Sequence, residues 1–139
     1  MRFFDASALI KRYVREPQSA AVRRWLAREP AAISRLSEVE VVSWLTRLAR
    51  EGAIGAQRRD HAIAAFATDL AAWHVVELSS EVAALARALL IRHPLLSGDA
   101  IQLASALRLQ QITQLPLTMF VAYDARLIAA AATEGFTTS

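Results

Sequence analysis

Short apolar runs alternate along the chain with segments in which apolar residues recur every three or four positions. The runs that have the length of a strand are Arg2–Asp5, Ala31–Ile33, His74–Leu78 and Thr118–Ala122. Because helical segments separate these runs, the connections between strands are crossovers, which join parallel strands and place helices on both faces of a sheet. The pattern predicts an α/β protein, a three-layer α/β/α sandwich with a mostly parallel central sheet.

Proline, glycine and capping residues mark the ends of the predicted helices. Pro17 is expected to open the second helix at its first position, and Ser97 is expected to cap the helix that contains Asp99. Gly135 should end the last helix, and Phe136–Thr138 should add a short edge strand. The predicted helices are Ala6–Val14, Pro17–Arg28, a segment capped by Ser34 and ending near Arg50, Ala56–Ala72, a segment capped by Ser79 or Ser80 and ending near Ile91, Gly98–Ile112, and an Ala-rich segment that begins at Asp124.

The length and hydropathy of the chain favour a single domain, residues 1–139, in contact with another protein. The length of 139 residues suits one compact domain. Hydrophobic residues make up 55% of the chain and the mean hydropathy is +0.28, yet no apolar run is long enough to span a bilayer. The apolar surplus predicts a surface that a partner chain covers. No long apolar segment follows Met1, so a cytoplasmic protein is expected.

Basic residues and the absence of cysteine narrow the range of partners. The formal net charge is +3, and Lys11 is the only lysine among the 16 lysine and arginine residues. Arginine suits phosphate and carboxylate, which favours a nucleic acid or an acidic peptide, although a GC-rich genome would produce the same excess of arginine and alanine. There is no cysteine, and His61, His74 and His93 are isolated, so any metal ion must be bound by oxygen ligands.

Three aspartates occupy positions from which they can converge. Asp5 follows the first strand, Asp124 follows the last, and Asp99 lies in the first turn of a helix. Helix capping is the simple alternative for each, because aspartate is a favoured N-cap residue. For Asp99 this alternative is weaker, since Ser97 is the better candidate for the cap. Ligand sites of parallel sheets form beyond the carboxyl ends of the strands, so we expect the carboxylates to meet there.

A fourth acid, Glu40, lies well inside a predicted helix. Leu36 and Trp44 flank it one turn before and one turn after, which is unusual for a solvated surface charge. An ion pair with Arg47, two turns away, or with a more distant arginine is the alternative explanation. Glu38 points elsewhere on the same helix and is interpreted as an exposed charge without a role.

Carboxylates that meet in one pocket repel one another, and burial raises their pKa values further. A divalent cation relieves this repulsion, and ligands that are all oxygen point to Mg²⁺ or Mn²⁺. Such an ion lowers the pKa of a bound water, orients a phosphate and neutralises developing charge, and four carboxylates can support two ions. The acidic residues therefore favour the hydrolysis of phosphodiester bonds.

Four segments in order along the chain carry a resemblance to a known family. They are Phe4–Lys11, Ile33–Val41, Gly98–Ala104 and Ala122–Leu127. Together they resemble the PIN domain, and more closely the VapC-type toxins of type II toxin–antitoxin systems. The resemblance implies a PIN-like α/β/α fold and a Mg²⁺- or Mn²⁺-dependent endoribonuclease in which a metal-activated water cuts structured RNA such as tRNA or rRNA. It also implies a homodimer and a small cognate antitoxin that blocks the acidic pocket.

The resemblance also implies roles for individual residues. Asp5, Glu40, Asp99 and Asp124 match the family's catalytic and metal-binding acids, and Ser7 matches the hydroxyl residue that supports the first aspartate.

The chain departs from the family pattern at a few positions. Gln102 stands where many relatives carry histidine, Tyr123 precedes the last aspartate, and no further acid follows Asp124 in Ala125 and Arg126. These departures leave the number of metal ions open, and Asp124 has a purely structural cap as its alternative.

Two other functions compete with the ribonuclease interpretation. The first is a non-catalytic PIN-like module that binds RNA or an antitoxin. The second is a phospho-acceptor receiver or an aspartate-based phosphatase, which usually needs a lysine late in the chain, whereas Lys11 lies near the start.

Overall fold

A sheet of four parallel strands lies at the centre of the computed structural model, which describes residues 1–139. The strands are β1 (Arg2–Phe4), β2 (Ala31–Ser34), β3 (His74–Val76) and β4 (Met119–Val121). Their order is β3-β2-β1-β4, and Phe3 pairs with Ala32 of β2 and with Phe120 of β4. Since every pair is parallel, the carboxyl ends of all four strands lie at the same edge of the sheet.

Seven helices cover the two faces of this sheet. Successive strand residues point to opposite faces, so Phe3 packs in one buried core with Leu103, while Phe4 packs in the other with Leu45. The two cores confirm the predicted α/β/α sandwich. The helices are α1 (Ala6–Tyr13), α2 (Ser19–Arg28), α3 (Arg35–Arg50), α4 (Ala56–Ala72), α5 (Ser80–Arg92), α6 (Ser97–Thr113) and α7 (Ala125–Thr133).

The predicted start of α2 at Pro17 is wrong. The helix begins at Ser19, and Gln18 before it has a positive φ of 65°, a left-handed conformation that lies outside a helix. The Ser19 hydroxyl accepts the N–H of Glu16 at 3.0 Å and donates to the carbonyl of Val14 at 3.2 Å. These hydrogen bonds fold residues 14–19 into a turn, which leaves Pro17 in the connection rather than in the helix.

The predicted cap of α6 is also wrong, by one residue. Leu96 has the extended backbone of an N-cap, with φ −79° and ψ 163°, and no side chain caps the helix. Ser97 is therefore the first helical residue. A smaller difference concerns β3, which ends at Val76 rather than near Leu78, because the N–H of Ser79 turns back to the carbonyl of Glu77 at 2.9 Å.

The chain beyond α7 returns to the sheet as predicted. Gly135, with φ 98°, ends the helix, and the N–H of Phe136 donates to the carbonyl of Ala131. The carbonyl of Thr137 then accepts the N–H of Phe120 at 2.8 Å, and Thr138 forms a single parallel bridge with Phe120. None of the seven helices combines the length and the apolar character needed to cross a membrane.

Candidate active site

All four predicted acids line one cavity, of about 680 Å³, at the carboxyl edge of the sheet. Asp5 follows β1, Asp124 follows β4, Asp99 lies in the first turn of α6 and Glu40 lies in α3. The convergence predicted from the strand ends is therefore present. The complete lining is Asp5, Ala6, Ser7, Lys11, Glu16, Glu40, Trp44, Arg47, Leu96, Asp99, Tyr123 and Asp124.

Asp5 is the buried acid of the cavity, with 4% of its surface exposed. It caps α1: Oδ1 accepts the N–H of Ala8 at 3.1 Å and the hydroxyl of Ser7 at 2.7 Å. Burial raises the pKa of Asp5 from 3.8 to about 7; the hydrogen bonds from Ser7 and Ala8 oppose the rise, and the charge of Asp99 adds to it. Asp5 therefore both caps α1 and lines the cavity.

Ser7 connects two of the strand-end loops. Its hydroxyl donates to Asp5 and also accepts the backbone N–H of Tyr123 at 3.0 Å. The predicted contact between Ser7 and the first aspartate is present, and it extends to the loop that carries Asp124. Ser7 therefore links the Asp5 carboxylate to the loop that follows β4.

Asp124 caps a helix, whereas Asp99 does not. Asp124 is exposed and caps α7, because its Oδ1 accepts the N–H of Leu127 at 3.0 Å. Asp99 is half-buried and caps nothing, since Leu96 holds the N-cap position. Burial raises the pKa of Asp99, and the charges of Asp124 and Glu40 raise it further. Capping therefore explains Asp124 in part and leaves Asp99 unexplained.

Glu40 has no cationic partner, and the alternative of an ion pair with Arg47 is not found. The guanidinium of Arg47 instead lies 5.6 Å from the ring centre of Trp44. Glu40 Oε1 accepts the amide N–H of Gln102 at 3.2 Å, and the same amide donates to Ser37 at 2.9 Å. Gln102 thus holds Glu40 in place.

Gly98 leaves Glu40 room beside the first turn of α6. A Cβ built at Gly98 would lie 3.7 Å from Oε1 of Glu40. Gly98 therefore lies within van der Waals range of the Glu40 carboxylate.

The sequence did not predict that Lys11, Arg47 and a fifth acid, Glu16, line the cavity. Lys11 donates to Glu16 at 3.2 Å, and both residues line the cavity with Tyr123. The signal available in the sequence was weak: a lone lysine in an apolar helix, followed five positions later by an acid. Their contact depends on the turn before α2, which the sequence did not predict.

The donor set of the cavity suits a hard divalent cation. Its acidic side chains outnumber Lys11 and Arg47, and the pKa values of Asp5 and Asp99 are raised, so a cation would stabilise their ionised forms. The carboxylates are not closed around one point, however, since no three His, Asp or Glu side chains are arranged to hold one ion together. The chemistry of the ligands therefore fits Mg²⁺ or Mn²⁺, with water and substrate oxygens completing the shell.

Comparison with known proteins assigns the family. A family model described as the PIN domain matches residues 2–133. The chain belongs to the PIN domain family. Ribonuclease VapC47 of Mycobacterium tuberculosis (strain CDC 1551 / Oshkosh) is 33% identical to this PIN domain over 144 residues, which cover 100% of the chain and 96% of that protein. The relationship to VapC-type ribonuclease toxins, expected from four short segments, is confirmed.

Solved structures show the same fold at lower identity. VapC20 of Mycobacterium tuberculosis, described as a sarcin-ricin loop cleaving toxin, has a TM-score of 0.68 and 20% identity, with 99% of this chain and 97% of that chain covered. A toxin–antitoxin complex from Klebsiella pneumoniae has a TM-score of 0.64 and 22% identity, with 93% of this chain and 91% of that chain covered. FitAcB from Neisseria gonorrhoeae has a TM-score of 0.70 and 13% identity, with 99% of this chain and 96% of that chain covered. The sheet and helices of this PIN domain therefore match those of the family over nearly their full length.

Proposed function

We propose that this PIN domain is a Mg²⁺- or Mn²⁺-dependent endoribonuclease that acts as the toxin of a toxin–antitoxin pair. One observation carries the proposal: four carboxylates from four separate segments line a single cavity at the carboxyl edge of the sheet. The names of the relatives support an RNA substrate, and we extend this to structured RNA of the tRNA or rRNA class. The single domain of residues 1–139 and the cytoplasmic location stay predictions.

Asp5, Glu40, Asp99 and Asp124 are the residues that would hold the metal. When bound, a divalent cation supplies charge neutralisation at the phosphate and a lower pKa for an attacking water. Ser7 and Ala8 orient the Asp5 carboxylate through hydrogen bonds to its Oδ1.

The second oriented carboxylate is Glu40, which Gln102 holds at Oε1. The chain thus positions two carboxylates from separate elements before any substrate arrives, and this lowers the cost of organising the site during the reaction.

RNA cleavage by the purified chain tests the function. We expect cleavage with Mg²⁺ or Mn²⁺ and none in EDTA. Glu40→Gln keeps the size of the side chain and removes its charge, so cleavage should fall by about 100-fold or more, the scale for losing a group that organises transition-state charge.

Glu38→Gln is the matched control on the same helix. Glu38 pairs with Arg35 outside the cavity, and its side chain is 45% exposed. This variant should cleave at the wild-type rate. Full activity of Glu40→Gln would refute the assignment, and RNA binding without cleavage by the wild type would favour the non-catalytic alternative.

A homodimer and a cognate antitoxin complete the proposal. The solved toxin–antitoxin complex with this fold supports an antitoxin partner, whose basic side chain we expect in the acidic cavity. Exposed apolar side chains support a second copy: Leu78, Leu90 and Ile91 lie on or beside α5, and Ile91 is 89% exposed. Light scattering of the isolated chain should give the mass of a dimer, and Ile91→Glu should give that of a monomer; a monomeric wild type would refute the dimer.

A further inference from the structure

Lys11 is a buried cation on the wall of the acidic cavity. The residue is 8% exposed and lines the cavity together with the four predicted acids. An ammonium group is strongly hydrated in water, and burying it is costly unless partners replace the lost water. The partners that Lys11 has within the chain therefore show whether its donors are satisfied.

Two residues hold the ammonium group of Lys11. Its Nζ donates to Oε2 of Glu16 at 3.2 Å and lies 4.8 Å from the ring centre of Tyr123. An ammonium has three N–H donors, and the contact with Glu16 uses one of them. The face of an aromatic ring attracts the charge without acting as a strong hydrogen-bond acceptor. Two donors of Lys11 are thus left without an oxygen acceptor from the chain.

Arg12, the next residue in α1, shows the opposite arrangement. Its Nε and Nη2 donate to the two oxygens of Asp69 at 2.6 and 3.2 Å. Arg12 is engaged by a carboxylate of the same chain outside the acidic cavity. Lys11 contacts a single carboxylate, that of Glu16, and lines the acidic cavity.

We infer that Lys11 binds a phosphate group of the RNA substrate inside the acidic cavity, with Glu16 and Tyr123 holding its ammonium group in place. This inference rests on the ribonuclease function proposed above. Ionised carboxylates accept hydrogen bonds and donate none, so the four acids cannot bind phosphate oxygens directly. Lys11 and Arg47 are the cationic side chains of the cavity, and Arg47 is exposed and stacked on Trp44. Lys11 supplies the charge-assisted donors that a phosphate requires.

The salt dependence of RNA binding tests this contact. We would measure binding of a labelled RNA hairpin by fluorescence anisotropy in the Asp99→Asn background, with Mg²⁺ held constant and KCl varied. Lys11→Met removes the charge and keeps an unbranched stem for the buried site. Loss of one phosphate contact should lower the salt slope of log Kd by about one and weaken binding by about 10-fold. Lys11→Arg keeps the charge and should retain the slope.

Arg28→Met is the matched control for the loss of one positive charge. Arg28 is exposed at the end of α2, just before β2 enters the sheet, and so lies at the amino edge, opposite the cavity. Its loss should leave the slope unchanged. Thermal melting of each variant would check that the fold is intact. Because Glu16 is partly exposed, water can solvate its carboxylate when Lys11 is replaced, so Lys11→Met is expected to fold.

The outcomes separate this inference from the proposed function. An unchanged slope in Lys11→Met, or the same change in Arg28→Met, would overturn the phosphate contact. So would a Lys11→Met protein that differs from the wild type only in needing less Mg²⁺, since Lys11 would then only balance the charge of the acids. A wild-type chain that binds the hairpin and never cleaves RNA would refute the ribonuclease function, while the slope still reports on Lys11.

Discussion

The acidic cavity and the contact between α1 and α4 both contain aspartates, but the hydrogen-bond donors that these aspartates receive differ in charge. At the helix contact, Asp69 accepts two N–H groups of Arg12 and the hydroxyl of Tyr13 at 2.6 Å. Burial acts to raise the pKa of Asp69, but the hydrogen bonds from Arg12 and Tyr13 outweigh it and the pKa is lowered. In the cavity, Asp5 receives only neutral donors and its pKa is raised.

The difference separates a carboxylate that is paired within the chain from the candidate site residues, which have no such partner. Asp69 is matched by a cation of the same chain, so its contacts stabilise the folded state. Asp5 and Asp99 gain from each other only repulsion, which an ion or ligand from outside relieves. Perturbed carboxylates that lack an internal counter-charge are typical of active sites. The following measurements test this comparison.

Asp99→Asn should have the largest effect on activity. Asn keeps the shape of the side chain but is a poor ligand for a hard cation, so RNA cleavage should fall by about 100-fold or more. The free energy of unfolding in urea should stay the same or rise, because repulsion from Asp124 and Glu40 is removed. Asp60→Asn, at an exposed side chain outside the cavity, is the control and should cleave normally. Loss of stability in Asp99→Asn would place Asp99 with Asp69 as a structural residue.

Mg²⁺ should stabilise the folded chain through the cavity acids. Binding at 100 times the dissociation constant adds about 2.7 kcal/mol to the free energy of unfolding, and thermal melting at increasing Mg²⁺ measures it. The gain should vanish in Asp99→Asn and persist in Asp69→Asn. Potassium chloride at equal ionic strength controls for screening. An equal gain in both variants would mean that Mg²⁺ acts elsewhere on the protein.

Asp69→Asn should lower stability and spare cleavage. The variant leaves Arg12 without its charged partner and weakens the contact with Tyr13, so the free energy of unfolding should fall by about 1–3 kcal/mol. Urea denaturation measures the loss, and cleavage should stay at the wild-type level in conditions where both proteins are folded. A cleavage defect without a loss of stability would contradict the division between the two regions.

The pH dependence of stability should show the smallest effect. The pKa of Asp69 is lowered in the folded state from its ordinary value of 3.8. Between the folded pKa and pH 3.8, the folded state therefore holds fewer protons than the unfolded state. The contribution of Asp69 is therefore full above pH 3.8 and is lost as the pH falls through its folded pKa, at no more than about 1.4 kcal/mol per pH unit. Urea titrations at several pH values should show wild type and Asp69→Asn converging in acid. A gap of constant size down to the most acidic conditions would contradict the assignment.

The convergence of the acids was predictable from the sequence for a simple geometric reason. Strand runs and helical periodicity are local signals, and parallel strands bring whatever follows them to one edge. Asp5 and Asp124 follow their strands directly, so the fold class alone placed them together. Glu40 was found through its apolar neighbours within α3.

The contacts that tune the site were not predictable, because they depend on tertiary geometry. The pair Lys11–Glu16 forms through a turn whose closing hydroxyl belongs to Ser19. The bond between Gln102 and Glu40 joins residues 62 positions apart and depends on how α3 packs against α6. Sequence patterns located the acids, whereas the orientation of their side chains and their balance with nearby cations depend on the three-dimensional structure.

The hydrogen bond between Ser7 and the backbone of Tyr123 has a consequence for synthesis. It joins residues 116 positions apart, and it fixes the first aspartate against the loop after β4. A chain emerging from the ribosome has made Asp5, Glu40 and Asp99 before β4 exists. The complete acidic site therefore forms only after β4 has been synthesised and has folded into the sheet beside β1.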